Sequence, residues 1–413
     1  MTARYRWVVL AVGASGAGAF SCLRMGLPAL SPAIRDEYGL SLPQVGLALS
    51  AVAFGVMLTL VPWGVLTDRI GERPVLAFGL CGTAAALGAA SRASSFALLL
   101  AGLLAAGMLG ASATGASGRA VMGWFSRSER GLALGIRQMA LPLGGALASL
   151  TLPWIAGASG VRGALLVLAG LCLTAGIASA IWMRDAPVPP PGAVAHEAPS
   201  PMRDPRMWRL GAGSALLVIG QGAMLGFIVL FLHDERGVDA GLAAAALAAV
   251  QLGGAAARLL AGRRSDTEGA RIPLIRRIAA ADACLLGATA LLVRGPGMLL
   301  YPLLLVAGVT AMCWNGLAFT AAAEIADRRR AGTAVSLQNT IVSVGGALAP
   351  AAFGWLVHAT TWSVGYGACA VAPVAAFVVL RPLVGEERRR IAIRERRLQG
   401  FLTEQQPQPV EAT

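Results

Sequence analysis

The sequence has no lysine: all 34 basic side chains are arginine, set against 21 acidic residues in a chain of 413. Charge of either sign is scarce, at 13% of residues, while 56% are hydrophobic. That balance excludes a soluble enzyme with solvated surface helices and describes a chain whose preferred solvent is lipid. Histidine is nearly absent, with only His196, His233 and His358. The sequence offers no nucleotide-binding loop, metal cluster or nucleophile–base set, which argues against a membrane enzyme or a sensor. Cys22, Cys81, Cys172, Cys284, Cys313 and Cys369 all fall inside apolar runs and lack metal-site spacing. They read as small apolar residues, not disulfides. No metal or cofactor is expected.

What the chain has in abundance is long apolar runs. A membrane helix needs roughly 20 mostly apolar residues. Twelve runs qualify: about 7–33, 43–66, 75–92, 96–124, 131–156, 163–183, 208–232, 240–262, 274–293, 297–324, 333–358 and 363–384. The expected fold class is therefore an all-α membrane protein with twelve transmembrane helices. The first run is too long for a signal peptide, and no small-residue cleavage site precedes a soluble domain. With the N-terminus inside and the sides alternating, 25 arginines fall on the cytoplasmic side and five outside. That split follows the positive-inside rule and puts both termini in the cytoplasm. The net charge of +13 is then mostly topology rather than the footprint of a nucleic-acid partner. Four arginines remain inside the spans: Arg24, Arg119, Arg137 and Arg258.

The stretch RDAPVPPPGAVAHEAPSPMRDPR, 184–206, interrupts this pattern and reads as a flexible cytoplasmic linker. It divides the chain into a six-helix bundle over 1–183, the linker, a second bundle over 207–385 and a basic tail over 386–413. The halves repeat each other. GVLTD at 64–68 matches GRRSD at 262–266, and GGALA occurs at 144–148 and again at 345–349. The second offset also pairs Gly131 with Gly332, Arg137 with Gln338 and Gln138 with Asn339. Such a duplication points to two pseudo-symmetric bundles with a solute site between them near the bilayer midplane.

The segment GVLTDRIGERP, 64–74, resembles the cytoplasmic signature between helices two and three of the major facilitator superfamily. The matching residues are Gly64, Asp68, Arg69, Gly71 and Arg73; Glu72 and Pro74 depart from the usual basic residues. The second copy, from Gly262 to Asp266, is degenerate. The resemblance implies a secondary transporter working by alternating access, with the first, fourth, seventh and tenth helices around a central cavity. It also implies that the signature network locks the outward-open state. Physically, Gly64 permits close helix approach, and Asp68 suits a helix N-terminus. Arg69 and Arg73 hold the loop inside and can pair with acids. Topology alone would explain these two arginines, but not Asp68.

Within GAFSCLRMGLPALSPAI, 18–34, Arg24 lies about 17 residues into the first span. A charge near the bilayer centre costs at least about 2.5–3.5 kcal/mol, and such residues face the interior and mark a pathway. No acid within that span pairs with Arg24; Asp36 and Glu37 lie at its outer end. A guanidinium fork fits a carboxylate or a similar oxyanion. Arg119, Arg137 and Arg258 lie nearer the cytoplasmic face, where each can snorkel. Arg258, just before the second signature copy, also resembles a residue of organic-anion members of the superfamily, such as monocarboxylate and oxalate/formate carriers, and of the nitrate/nitrite carriers.

Acids inside the spans are few: Asp282 in the ninth and Glu324 at the end of the tenth. Four interior arginines against two peripheral acids make a positive cavity, so the expected solute is a small anion, most plausibly a carboxylate. Gln221, Trp314, Asn315, Gln138, Gln338 and Asn339 are further lining candidates, each of which could instead be an interhelical hydrogen bond. If a proton is co-transported, Asp282 and Glu324 are the titratable candidates, unless they simply pair with Arg276–Arg277 or Arg328–Arg330. The competing reading is a multidrug or hydrophobic-compound exporter of the same superfamily, partly matched by Pro142, Gly144 and Gly145 in GIRQMALPLGGALA. The tail EERRRIAIRERRLQGFLTEQQ, 386–406, reads as a basic helix on the inner membrane surface. Arginine-only, alanine-rich usage suggests a high-GC bacterium, hence the inner membrane.

Overall fold

The structure is a computed structural model. It describes residues 2–125, 129–185, 201–326, 331–389 and 392. The expected linker between 186 and 200, nearly all of the basic tail, and Arg127, Arg328, Arg329 and Arg330 lie outside the described residues.

The described residues are helical, with no strand among them. The first span is bent: α1 (Thr2–Gly26) passes through a 3₁₀ turn (Leu27–Leu30) into α2 (Ser31–Tyr38). Then come α3 (Leu42–Ile70), α4 (Glu72–Ala90), α5 (Phe96–Trp124) and α6 (Arg130–Trp182). The second half holds α7 (Pro205–Leu230) with a π turn (Phe231–Glu235), α8 (Ala240–Glu268) and α9 (Ile272–Leu292). It ends with α10 (Gly297–Met312), α11 (Trp314–Ile325), α12 (Ala331–Ala359) and α13 (Trp362–Val379).

Helix starts coincide with polar caps that satisfy the first free backbone N–H groups. Ser41 and Gln44 form a capping box at α3. Asp204 caps α7, Asp239 caps α8 through the N–H groups of Gly241 and Leu242, and Thr361 caps α13.

Among the described residues, ten helices are long and apolar enough to cross a membrane. Two expected spans are not separate among them, for identifiable reasons. The fifth and sixth run on as α6, broken only at Ser159 and Gly160, where Gly160 takes φ +68°. There the Val161 N–H donates to the Glu37 carboxylate at 3.0 Å, so α2 caps the returning helix. The ninth span, α9, is short and carries Arg276, Arg277 and Asp282, so every stretch of 18 residues within it holds three charges. The tenth is divided at Cys313 into α10 and α11.

In the first half α1 packs on α6, while α4 and α5 complete the bundle with α3. In the second, α7 packs on α12 and α13, and α9 on α13 and α10. The halves meet chiefly through two helix pairs, α3 with α12 and α6 with α8. The α3–α12 contact is backbone-close at one end. A Cβ on Gly46 would lie 2.6 Å from the Pro350 carbonyl oxygen, and one on Gly354 would lie 2.6 Å from that of Leu42. The Ala351 N–H donates to Ser50 Oγ at 3.0 Å, and Arg35 ion-pairs with Asp234 across the halves. Buried apolar residues of both halves merge into one core here. At the opposite end the second half has a core of its own, from Met207 to Leu383. There the expected close approach at Gly64 is absent: nothing lies within 4 Å of its Cβ position, nor of that of Gly262. The halves are therefore joined at the Arg35 end and apart at the Asp68 end.

Candidate functional site

Two ionic clusters occupy the Asp68 end, one per half. In the first, Arg119 of α5 pairs with Asp68 and, at 3.1 Å, with Glu72. Glu72 is 2% exposed. Arg119 was expected near the solute; instead its guanidinium is committed to two carboxylates and belongs with the signature. Asp68 was expected to hold a helix N-terminus; Asp185, at the end of α6, does so instead, accepting from the Arg73 N–H at 2.9 Å. Gly71 makes room for it, since a Cβ there would fall 2.5 Å from the Asp185 carboxylate, and its φ of +89° suits glycine. The Arg73 side chain donates to the Ala180 carbonyl, and Arg69 is exposed with no acidic partner among the described residues.

The second half repeats this arrangement with the charges exchanged. Asp266 pairs with Arg271, which also reaches Glu324 at 3.2 Å. Glu324 thus pairs with Arg271, and Arg328–Arg330 lie outside the described residues. Burial works against the Arg271 charge, but Asp266 and Glu324 outweigh it and hold the guanidinium above its ordinary value. Glu387, at the end of the last helix, accepts from the N–H groups of Arg271 and Ile272 at 2.8 and 3.0 Å. In both halves, then, a carboxylate from the sixth span of the repeat caps the third. The matching residues were legible: Gly71 and Gly269 both take positive φ, and they and Arg73 and Arg271 share the 198-residue offset of Asp68 and Asp266.

Three arginines remain in the interior. Arg137 does not snorkel. It is buried between α5 and α6, donating to Ser117 Oγ at 2.9 Å, the Thr114 carbonyl at 2.7 Å and Gln138 Oε1 at 2.9 Å. These neutral acceptors use most of its fork, and Gln138 itself is exposed. Arg258 on α8 does not snorkel either: its Nε donates to the Met312 carbonyl at 2.7 Å, where α10 gives way to α11. Arg24 is part-buried two residues before α1 ends, with no hydrogen-bond or ion-pair partner among the described residues.

Arg24 and Arg258 are related through Gln251, which sequence reasoning missed. Gln251 of α8 is fully buried and donates to the Met25 carbonyl and Ser149 Oγ, both at 3.2 Å. It thereby ties α8 to α1 and α6. Gly145 and Gly26 permit this crossing: a Cβ at 145 would collide with Gln251 Oε1, and one at 26 with Ala148. Arg258 lies seven residues on from Gln251, about two helical turns and on the same face. Arg24 and Arg258 thus lie on the two helices that Gln251 joins at the junction of the halves.

Asn315, one turn past Met312, donates to Gln221 Oε1 of α7 at 3.0 Å. Asn315 follows the Met312 carbonyl that holds Arg258 by three residues. Trp314 does not line the space as expected: it is fully buried in the second-half core. Gln338 is also buried, donating to Ser214 Oγ at 2.6 Å, and Asn339 is part-buried. Asp282, for which pairing with Arg276 or Arg277 was the alternative to a titratable role, pairs with neither among the described residues. Arg276 donates to the Phe377 carbonyl and lies over that ring, and Arg277 pairs with Glu268.

A family model described as Major Facilitator Superfamily matches residues 12–350. An uncharacterized MFS-type transporter of Mycobacterium tuberculosis is 34% identical over 374 residues, 90% of this chain and 84% of that protein. The probable sulfoacetate transporter SauU of Cupriavidus necator is 27% identical, with 82% of this chain and 84% of that protein covered. Among solved structures, a bacterial homolog to the human lysosomal transporter Spinster superposes with TM-score 0.74 at 18% identity, covering 91% of this chain and 95% of that one. The nucleoside transporter NupG gives 0.71 at 14% identity, over 91% of this chain and 99% of its own.

Proposed function

The chain belongs to the major facilitator superfamily, and from that premise we propose that it is a secondary active transporter moving a small organic anion across the bacterial inner membrane. The observation that carries this reading is Arg24: a guanidinium in the interior of a membrane protein, part-buried and without a partner among the described residues. A cation so placed is stabilised by an anion that can leave again. Arg258, which donates only to the Met312 carbonyl among the described residues, supplies a second cation on the other half. Asn315 and Gln221 offer neutral polar contacts on that half. Two cations, one on each half, suit a short solute with an anionic group at each end, such as sulfoacetate, which bears a carboxylate and a sulfonate. The 27% relative named for that compound points the same way.

The positive-inside split places both termini in the cytoplasm, so the Arg35 end faces outward and the space between the halves opens inward. Transport then alternates two closures. In this state α3 and α12 seal the outer end. In the other state that seam parts, the Asp68 ends of the halves come together, and the clusters around Arg119 and Arg271 set how they meet.

The test is counterflow in proteoliposomes with labelled sulfoacetate, competed by small carboxylates, inorganic oxyanions and lipophilic cationic dyes. Saturable exchange of an organic anion is expected, abolished by Arg24→Ala and weakened by Arg258→Ala. Transport of the dyes alone, unaffected by Arg24→Ala, would overturn the reading in favour of the exporter.

A further inference from the structure

The first half carries a groove that the solute site does not use. It holds about 450 Å³ and is walled by Thr59, Pro62, Trp63 and Leu66 of α3 over Ala105 and Met108 of α5. It exists because α3 and α4 each pack along α5 but scarcely on one another, which leaves a furrow between them. Pro62 and Leu66 stand on the side of α3 away from Gly46 and Ser50, the residues that meet α12. Exposed apolar side chains flank the groove, Leu58 and Val65 on α3 and Phe78 on α4, so it opens to the bilayer and not to the space between the halves.

The walls are fixed and apolar. The Met108 carbonyl accepts from Trp63 Nε1 at 2.6 Å and from Thr59 Oγ1 at 2.7 Å, and the Trp63 ring lies against Phe78 with centroids 6.3 Å apart. The polar atoms of the wall are thus turned onto the protein, and an occupant meets hydrocarbon. The depth also fits one leaflet. From Thr59 to the cytoplasmic end of α3 at Ile70 the helix covers about 16 Å, and half of the hydrocarbon core is about 15 Å. At the mouth stands Arg69, three residues past Leu66 and seven past Pro62, hence on the same face. It is exposed, with no hydrogen bond or ion pair among the described residues. The charges around it are engaged elsewhere: Asp68 and Glu72 with Arg119, and the Arg73 side chain with the Ala180 carbonyl.

We propose that this groove is a binding site for an anionic phospholipid of the inner leaflet, with an acyl chain along Trp63 and Met108 and the head-group phosphate on Arg69. A guanidinium fork matches a phosphate. A zwitterionic lipid brings its own cation to Arg69 and gains less, a lipophilic cation is repelled at the mouth, and a small hydrophilic anion gains nothing from the walls. The site depends on the membrane topology and not on the identity of the solute. Arg69 adjoins Asp68 in the chain, so the lipid holds the corner that carries the Arg119 cluster.

Tryptophan quenching in liposomes containing the full-length protein tests this. Phosphatidylglycerol or phosphatidylcholine brominated along the acyl chains is titrated in, and the Trp63 signal is the difference between wild type and Trp63→Phe. Half-quenching is expected at about a fivefold lower fraction of phosphatidylglycerol, the worth of one arginine at an anionic surface. Arg69→Gln, an exposed substitution, is expected to erase that preference, and Arg209→Gln, exposed at the same side of the other half, to leave it intact. Ala105→Phe fills the groove and is expected to abolish saturable quenching by either lipid; if that variant does not fold, Arg69→Gln decides alone. Equal quenching by the two lipids in wild type, or a preference that survives Arg69→Gln or falls equally in Arg209→Gln, would overturn the proposal. So would displacement of the brominated lipid by cationic dyes but not by plain phosphatidylglycerol, which would make the groove a site for lipophilic cations.

Discussion

The α3–α12 seam makes a directional prediction. Alanine at Gly46 would bring a Cβ to 2.6 Å from the Pro350 carbonyl oxygen and 3.1 Å from Ala351 Cα. Alanine at Gly354 would meet the Leu42 carbonyl oxygen at 2.6 Å. These are backbone atoms, so no flexible side chain can swing aside and the helices must separate. Overpacking of this kind costs about 1–3 kcal/mol. The cost falls only on the state in which the two helices touch, while the gain of about 1 kcal/mol in helix propensity is common to both states. Each substitution should therefore shift the equilibrium away from this conformation by about 5–150-fold. Hydrogen–deuterium exchange read by mass spectrometry checks this on the unlabelled protein. Peptides over 42–50 and 350–357 should exchange faster in Gly46→Ala, and those around Asp68 and Arg119 more slowly. Unchanged or slower exchange along the seam, in a folded variant, would refute the idea that α3 and α12 part during the cycle.

Other positions give further tests. Asp185→Ala uncaps α4, and Glu387→Ala uncaps α9; each should cost about 0.5–2 kcal/mol in thermal unfolding, with the two losses additive because they sit in different halves. Equal stability would show that the caps contribute nothing. Gly71→Ala should destabilise by about 1–3 kcal/mol, combining strain at φ +89° with collision against Asp185, whereas Gly262→Ala, with nothing within 4 Å, should be neutral or stabilising. The Arg35–Asp234 pair is only partly buried, so its loss should cost no more than about 1 kcal/mol, and the exchange Arg35→Asp with Asp234→Arg should restore it. A double-mutant cycle with zero coupling would remove the pair from the outer closure.

Hydrophobic run length made the spans legible, because a chain in lipid must satisfy its backbone within each segment. The same criterion separated the fifth and sixth spans at 131–156 and 163–183, which the structure runs on as α6 because one glycine at 160, supported by Glu37 from a distant helix, makes the turn. The signature was legible as a motif, but its chemistry was not. Which carboxylate caps a helix and which pairs with Arg119 depends on where α5 and the end of α6 arrive. Glu72, marked in the sequence only as a departure, is the buried partner of Arg119. Arg24 was legible because no neighbour in its span could neutralise it. Trp314 was misread because it and Asn315, adjacent in sequence, project to different sides of α11. Gln251 escaped notice among alanines, although it joins the halves beside Arg24. The repetition of Gly71 and Arg73 at Gly269 and Arg271 stood in the sequence and would have completed the degenerate second copy.

The central claim is that Arg24 holds an anion. Its most direct test is a thermal-shift titration of the purified protein with sulfoacetate, small carboxylates, inorganic oxyanions and cationic dyes, run beside Arg24→Ala and Arg24→Lys. A ligand at a hundred times its Kd should stabilise by about 2.7 kcal/mol. The account predicts that one organic anion does so in the wild type, that Arg24→Ala abolishes the shift, and that Arg24→Lys, lacking the planar fork, restores little of it. Stabilisation by cationic dyes alone, equal in all three proteins, would contradict it.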